Sequence, residues 1–491
     1  MRNAILIGLA LVLSTGLAVA AEAPLPWDLP TLLQRVPPLK HDATGRLAMV
    51  TWERFRMSAD DKSFEEGKPL PVEMYRELAK RGLTQALFPD EKYIPTALAL
   101  QQAGAQVIFV QGDGGVGPGA EAPDMLHHFP ADYKLPEGET HYPCPLMLAG
   151  WNNRANKVRA TLTKFRDAGV KVTGYWMDWE GEPWPLNQQW EQAKLCSRCR
   201  EQFPPGVLDD WERYRAFIAL LRADLFSAYL AAPALEIYPA CSVTNWEAVI
   251  SSPETMVWSW TQSRSLPPQQ LGLLTGSNPI AYGNDYLYKL HWKKLGDLPL
   301  NQETMDRLYT SVELAQVSQN EANQGRWAPE KQTLPWVDRY CPDEDDSKVP
   351  IMSRERYREV LRHLWLRGTD GMQIFQPVRK GHESIATEEI EDAVAIYDEM
   401  LEYRKFLEAG TTMNTAVPAL QEKGPIWSGL LLEDEAVVRA FVQDAQPATF
   451  TIRPWEDAPA LTLSAPPAGA TYRLRHVAGK RVIVREEKGE G

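Results

Sequence analysis

Between positions 46 and 407 the chain alternates short apolar runs with longer runs of amphipathic periodicity. The short runs predict strands over Arg46–Trp52, Leu83–Phe88, Ala105–Gln111, Lys171–Asp178, Leu235–Val243, Asn278–Tyr282, Thr333–Arg339 and Gly371–Gln376. Their β-branched and aromatic content, and the lack of strict polar alternation, is that of strands buried on both faces. The intervening runs predict helices over Val72–Arg81, Ile94–Ala103, Asn152–Ala168, Leu208–Leu230, Glu303–Ala322, Arg354–Arg367 and Glu388–Leu407. Gly82, Gly104 and Gly169 follow three of them as stop signals. Eight strand–helix repeats are the outline of a closed α/β barrel, the (β/α)8 or TIM barrel. An open doubly wound sheet gives no reason for eight units.

The texture changes after Gly410. Runs at 425–443, 448–453, 461–464 and 471–477 alternate apolar and polar positions with no helix between them. They predict a small antiparallel β-sandwich over 411–491. The other divisions are a signal peptide over 1–20, a Pro-rich irregular arm over 21–44 and the barrel over 45–410. Arg2, the apolar run from Ala4 to Leu13 and the small residues Ala18-Val-Ala20 carry the signal-peptide reading. The expectation is an exported protein, periplasmic or secreted, with no membrane span.

The net charge of −13 argues against nucleic acid as a partner. Seventeen tryptophans are a large aromatic supply, and flat rings suit sugar faces. Only eight histidines are present, and almost none falls at a predicted strand end, which disfavours a metal-dependent hydrolase. The pair His127-His128 has no ligand run around it and reads as surface. No cofactor is expected. Gly112–Gly119 has the glycine of a phosphate loop but lacks its Gly-Lys-Ser/Thr ending.

Barrel chemistry resides at the carboxyl ends of the strands. In Lys171–Trp184 the fourth strand runs into Asp178-Trp-Glu180, two acids that alternation places on one face, with Trp176, Trp179 and Trp184 around them. These are the candidate catalytic residues. The other strand ends supply Trp52, Gln111, Tyr238, Asn245, Tyr282, Asp285, Trp336, Asp338 and Gln373, which with Trp176 form a candidate substrate-binding set. Amides, acids and rings converging on one mouth suit an oligo- or polysaccharide.

The Asp178-Trp-Glu180 stretch resembles the Asp-x-Glu signature of family 18 chitinases. With the following Gly-Glu-Pro-Trp-Pro it resembles family 56 hyaluronidases. That resemblance implies a retaining glycoside hydrolase with Glu180 as general acid/base. Asp178 would stabilise an oxazolinium ion made by the substrate's own 2-acetamido group, and Tyr282 would hold that group. Phe375 stands where chitinases floor the sugar site with Trp. A weaker likeness to family 31 α-glucosidases implies instead Asp178 as covalent nucleophile and Asp285 as acid. A catalytically silent glycan-binding barrel is the alternative of a different class.

Five cysteines leave at least one without a partner cysteine in the chain. Cys196-x-x-Cys199, with Cys144 upstream, resembles the structural zinc site of family 42 β-galactosidases but lacks the first cysteine of that family's triplet. A zinc held by Cys144, Cys196 and Cys199 and completed by Cys241, a disulfide, and free thiols all stay open at this point.

Overall fold

The computed structural model describes residues 27–58, 60–112, 128, 134, 144–178, 187–247, 272–283, 301–327, 330–339, 350–376, 378, 382–416, 418, 423–477 and 481–487. Nine parallel strand segments form the first sheet: β1 (Met49–Thr51), β2 (Leu83–Gln85), β3 (Ile108–Gly112), β4 (Gly174–Asp178), β5 (Ser242–Glu247), β6 (Gly276–Ala281), β7 (Gln332–Thr333), β8 (Trp336–Val337) and β9 (Gln373–Ile374). Pairing runs β2-β1-β9-β8-β6-β5-β4-β3, with β7 also on β6. Leu87, just past β2, closes the ring onto β3: its N–H donates to Ile108 O at 3.1 Å, and Val110 N–H donates to Leu87 O at 2.8 Å. β7 and β8 are one stave broken at Leu334-Pro335, because proline has no N–H for the ladder. The fold is therefore the expected eight-stave (β/α)8 barrel.

The outer layer is α1 (Leu29–Arg35), α2 (Val72–Ala79), α3 (Ile94–Gln102), α4 (Leu148–Asp167), α5 (Asn187–Leu195), α6 (Ser197–Gln202), α7 (Trp211–Phe226), α8 (Ala232–Ile237), α9 (Gln302–Trp327), α10 (Arg354–Trp365), α11 (Glu383–Leu401) and α12 (Arg404–Ala409). Several bounds depart from the sequence expectation. The arm contains α1, begun by Asp28, whose carboxylate accepts from Thr31 N–H at 2.8 Å. The run from Leu235 is not strand: α7 continues through a π-helical turn, Ser227–Ala231, into α8, and β5 starts only at Ser242. Short apolar runs do not reveal their period, and here the helix won.

Trp211–Ile237 is consequently a 27-residue apolar helical stretch, long enough by length and composition to cross a bilayer. Of its most apolar window, 53% is buried inside the protein, as befits a core helix.

The lumen is filled from alternate residues of each stave. Gly174 and Trp176 of β4 lie in register with Ser242 and Thr244 of β5. The Trp176 indole N–H donates to Ser242 Oγ at 3.1 Å, and that hydroxyl donates to Gln332 Oε1 at 2.7 Å. A β-carbon on Gly174 would stand 2.9 Å from Trp176 Nε1 and 3.0 Å from Ile108 Cγ2, so the ring occupies the space a side chain would need. The opposite faces pack outward on the helices, as Phe109 does on Phe165 with centroids 4.8 Å apart.

Behind the barrel, β10 (Thr411–Thr412), β11 (Pro425–Leu432), β12 (Glu435–Val442), β15 (Ala470–Val477) and β16 (Arg481–Glu487) form an antiparallel sheet in the order β10-β11-β12-β15-β16. The hairpin β13 (Ala448–Ile452) and β14 (Leu461–Ala465) packs against it. The seam with the barrel is charged and buried. Arg439 of β12 grips Glu359 of α10 through Nε at 2.9 Å and Nη2 at 2.7 Å. His363, one turn on, meets Ser428 Oγ at 2.7 Å. Arg367 donates to Ser428 Oγ, Ser318 Oγ and the carbonyls of Ala416 and Trp427.

Two tests follow from this packing. Gly174→Ala overfills the lumen and should cost about 1–3 kcal/mol in urea unfolding; an unchanged midpoint would mean Trp176 has room to move. Burial holds His363 down at about 4. The unfolded chain then takes up its proton first, and stability falls as pH drops from about 6.5 towards 4. His363→Gln should flatten the urea midpoint across that window.

Candidate functional site

Trp52, Tyr282 and Phe375 follow directly on the last residues of β1, β6 and β9, while Trp336 opens β8 one level deeper. Neighbouring staves in a parallel barrel carry their last residues to one rim, so these rings converge. Trp52 meets Trp336 edge-on at 5.4 Å between centroids and Phe375 at 5.6 Å. Tyr282 stacks on Phe375 at 5.0 Å with 26° between planes. Trp336 is sealed beneath them, and Trp52 and Phe375 remain partly open. Three rings of the candidate set are thus brought together, and Phe375 is the fourth member of the wall. Trp52 and Phe375 therefore leave apolar ring surface open at the rim.

Beside it, Trp52 N–H donates to Ile374 O at 2.9 Å and is shared with Gln376 Oε1 at 3.2 Å. The Arg54 guanidinium lies 4.3 Å from the Phe88 ring centroid and 5.3 Å from those of Phe64 and Trp52. Burial lowers its pKa to about 10. Arg54 therefore serves as a buried strut under Trp52.

Other members of the set lie elsewhere. Tyr238 caps α8 at the amino-terminal end of the barrel, its hydroxyl donating to Val170 O at 3.1 Å. It is not a mouth residue, because the strand assigned to it is a helix. Trp176 is wholly buried in the lumen with its N–H spent on Ser242, which makes it a core residue rather than a substrate platform. Gln373 is sealed in the lumen and donates to Leu334 O at 3.3 Å. Asn245 is buried in register with Met177, and its Nδ2 donates to Trp246 O at 2.7 Å, shaping the end of β5. Asp338 is buried as well. Asp178 closes β4 in register with Gly112, but its side chain, the side chain of Gln111, and all of Glu180 and Asp285 lie outside the described residues.

Periodicity gave no hint of an acid cluster behind the rim. Glu313, in the middle of α9, is buried, with Oε1 2.7 Å from where a Gly283 β-carbon would be. Gly283 directly follows Tyr282. Burial first, then the Asp338 and Glu389 carboxylates, push Glu313 well above the usual carboxylate range. The buried Asp338 and Glu389 belong to the same cluster, and Arg339 N–H donates to Glu389 Oε1 at 2.7 Å.

A second cluster flanks β4. His128, Cys144, Cys196 and Cys199 are all buried, and their ligand atoms lie within 4.8 Å of one another. Cys144 Sγ is 3.8 Å from Cys199 Sγ, which is 3.5 Å from His128 Nδ1. Cys199 and then His128 pull the Cys144 thiol down to about 3. The fourth member is thus His128, expected at the surface, and not Cys241. That thiol lies outside the cluster, and burial raises its pKa to about 11. Sequence spacing could not reveal this, since His128 reaches the cysteines only through the fold.

No protein-family model matches the chain, and no curated protein does. Several solved structures are similar at low identity. An α-L-fucosidase isoenzyme 2 from Paenibacillus thiaminolyticus is 12% identical over 73% of this chain and 50% of its own, with a TM-score of 0.42. The GH42 β-galactosidase Gan42B from G. stearothermophilus is 10% identical over 75% and 58%, with a TM-score of 0.46. A trehalose-6-phosphate hydrolase from Bacillus licheniformis is 9% identical over 88% and 100%, with a TM-score of 0.45. The chain spans about half the length of the fucosidase it matches.

The acid cluster is testable by titration. A carboxyl whose folded pKa is raised adds stability in full below about pH 4.3 and loses it as pH rises. Glu313→Gln keeps an acceptor for Gly283 and carries no charge. It should raise the melting temperature at pH 7–8 and leave it unchanged near pH 4; equal shifts at both would remove the ionisation argument.

Proposed function

We propose that this chain is a retaining glycoside hydrolase acting on a glycan, exported by way of the segment Met1–Ala20. The observation that carries the proposal is the wall of Trp52, Tyr282 and Phe375 over Trp336 at the rim of the barrel into which β4 delivers Asp178. Rings at that height suit the CH faces of a sugar, and acids at the end of β4 suit its glycosidic oxygen. The Asp-x-Glu spelling supplies the division of labour. Glu180 protonates the leaving oxygen and afterwards activates water, and Asp178 stabilises an oxazolinium ion formed when the substrate's 2-acetamido oxygen attacks the anomeric carbon.

The physical requirement is that Glu180 hold its proton near neutral pH. A like charge two residues away and tryptophans in the neighbouring sequence both act in that direction. The solved structures similar to this chain include a fucosidase, a β-galactosidase and a trehalose-6-phosphate hydrolase, consistent with the proposal without bearing on substrate.

Glu180→Gln should lower kcat on a cleaved glycan by about 100- to 10,000-fold with an unchanged circular dichroism spectrum. Undiminished turnover would overturn the assignment. Matched substrates with and without the 2-acetamido group separate the two roles of Asp178. Cleavage only of the acetamido sugar supports oxazolinium stabilisation, and equal cleavage makes Asp178 the nucleophile.

A further inference from the structure

The sulfur–nitrogen cluster beside β4 is built to dimensions that neither a disulfide nor ordinary thiol packing requires. A zinc ion bonds cysteine sulfur at about 2.3 Å and histidine nitrogen at about 2.0–2.1 Å. A regular tetrahedron with those bonds spaces two sulfurs about 3.8 Å apart and sulfur from nitrogen about 3.5 Å. The structure has Cys144 Sγ to Cys199 Sγ at 3.8 Å and Cys199 Sγ to His128 Nδ1 at 3.5 Å. A disulfide would bring two sulfurs to about 2.05 Å, and all four described cysteines are free.

We propose that His128, Cys144, Cys196 and Cys199 bind one zinc ion as a closed Cys3His site, with His128 Nδ1 as the nitrogen ligand. Three soft sulfurs and one imidazole in a tetrahedral array select zinc over calcium, magnesium or manganese. Four protein ligands leave no position for water or substrate, so the ion is structural. On binding, each thiol that is still protonated gives its proton to solvent, and three thiolates around a dication leave a net charge of −1. Arg198 stands ready to offset it: its guanidinium donates to His128 O at 3.4 Å and bears on Cys144. Phe203, Val207, Tyr214 and Ile218 exclude water from the site.

The placement of the ligands says what the ion holds. His128 and Cys144 lie in the connection from β3 to α4, whereas Cys196 caps α6 and Cys199 lies within it, on the connection from β4 to α7. β3 and β4 are adjacent staves, paired up to Gly112 and Asp178. One ion therefore pins the β3–α4 connection to the β4–α7 connection, the one that in sequence begins with the proposed acid Glu180. The site stands apart from that catalytic proposal and survives its failure.

Elemental analysis of the full-length protein, purified with zinc and then desalted, should find about one zinc per chain. Cobalt in its place should give the strong visible bands of a tetrahedral site and near-ultraviolet thiolate charge transfer. His128→Ala and Cys199→Ser should each bind less than about a tenth of an equivalent, while His128→Cys restores binding. Chelation of the wild type should expose three further thiols to a labelling reagent. Less than a tenth of an equivalent in the wild type, a Cys144–Cys199 disulfide by peptide mapping, or full zinc content in both knock-out variants would overturn the proposal. The wild-type measurements decide the matter even if a variant fails to fold.

Discussion

A parallel barrel is only as regular as the filling of its lumen, and here the filling turns on Trp176 lying over the bare α-carbon of Gly174. An indole in a dry interior must place its N–H, and it does so on Ser242, which passes the hydrogen bond to Gln332. One side chain thereby links β4, β5 and β7 across the lumen. The height of β4 in the ring follows from that chain of contacts, and with it the height at which Asp178 meets the rim. A bulkier residue at 174 or a smaller one at 176 would disturb the stave that carries the proposed chemistry before any mouth residue changed.

The barrel was legible because its signal is repetition: eight apolar runs separated by amphipathic ones have few other solutions. The rim was legible in part: Trp52 and Tyr282 sit where strand ends place them, and Phe375 where the chitinase resemblance puts a ring. It failed where a local period was ambiguous. Leu235–Tyr238 alternates like a strand but ends a helix, which sends Tyr238 to the opposite face of the barrel. Gln373 and Trp176 show another limit. Both belong to strands, yet whether a strand residue reaches solvent or is sealed in the lumen depends on neighbours distant in sequence. His128 and Glu313 are the same lesson for chemistry, each joined to its partners only by tertiary packing.

The protein also keeps its buried charge in separate places with opposite solutions. Behind the rim, Glu313 sits among other acids and holds its proton. At the seam, burial opposes ionisation of Glu359, but Arg439 and His363 together outweigh it and keep the carboxylate charged. The first arrangement suits a neutral donor in a dry wall, the second a paired ion.

Arg367 is the feature with the widest reach. It is buried where the barrel meets the β-sheet domain, its pKa lowered to about 9 by burial, and its hydrogen bonds go to hydroxyls and carbonyls drawn from both sides. Cutting the chain near 410 would strand that guanidinium with only Ser318 Oγ left of its four acceptors. The C-terminal sheet is thus part of the barrel's own polar packing. A truncation near 410 would therefore uncover Arg367, Glu359 and His363 together, three ionisable groups that each lose a partner with the sheet.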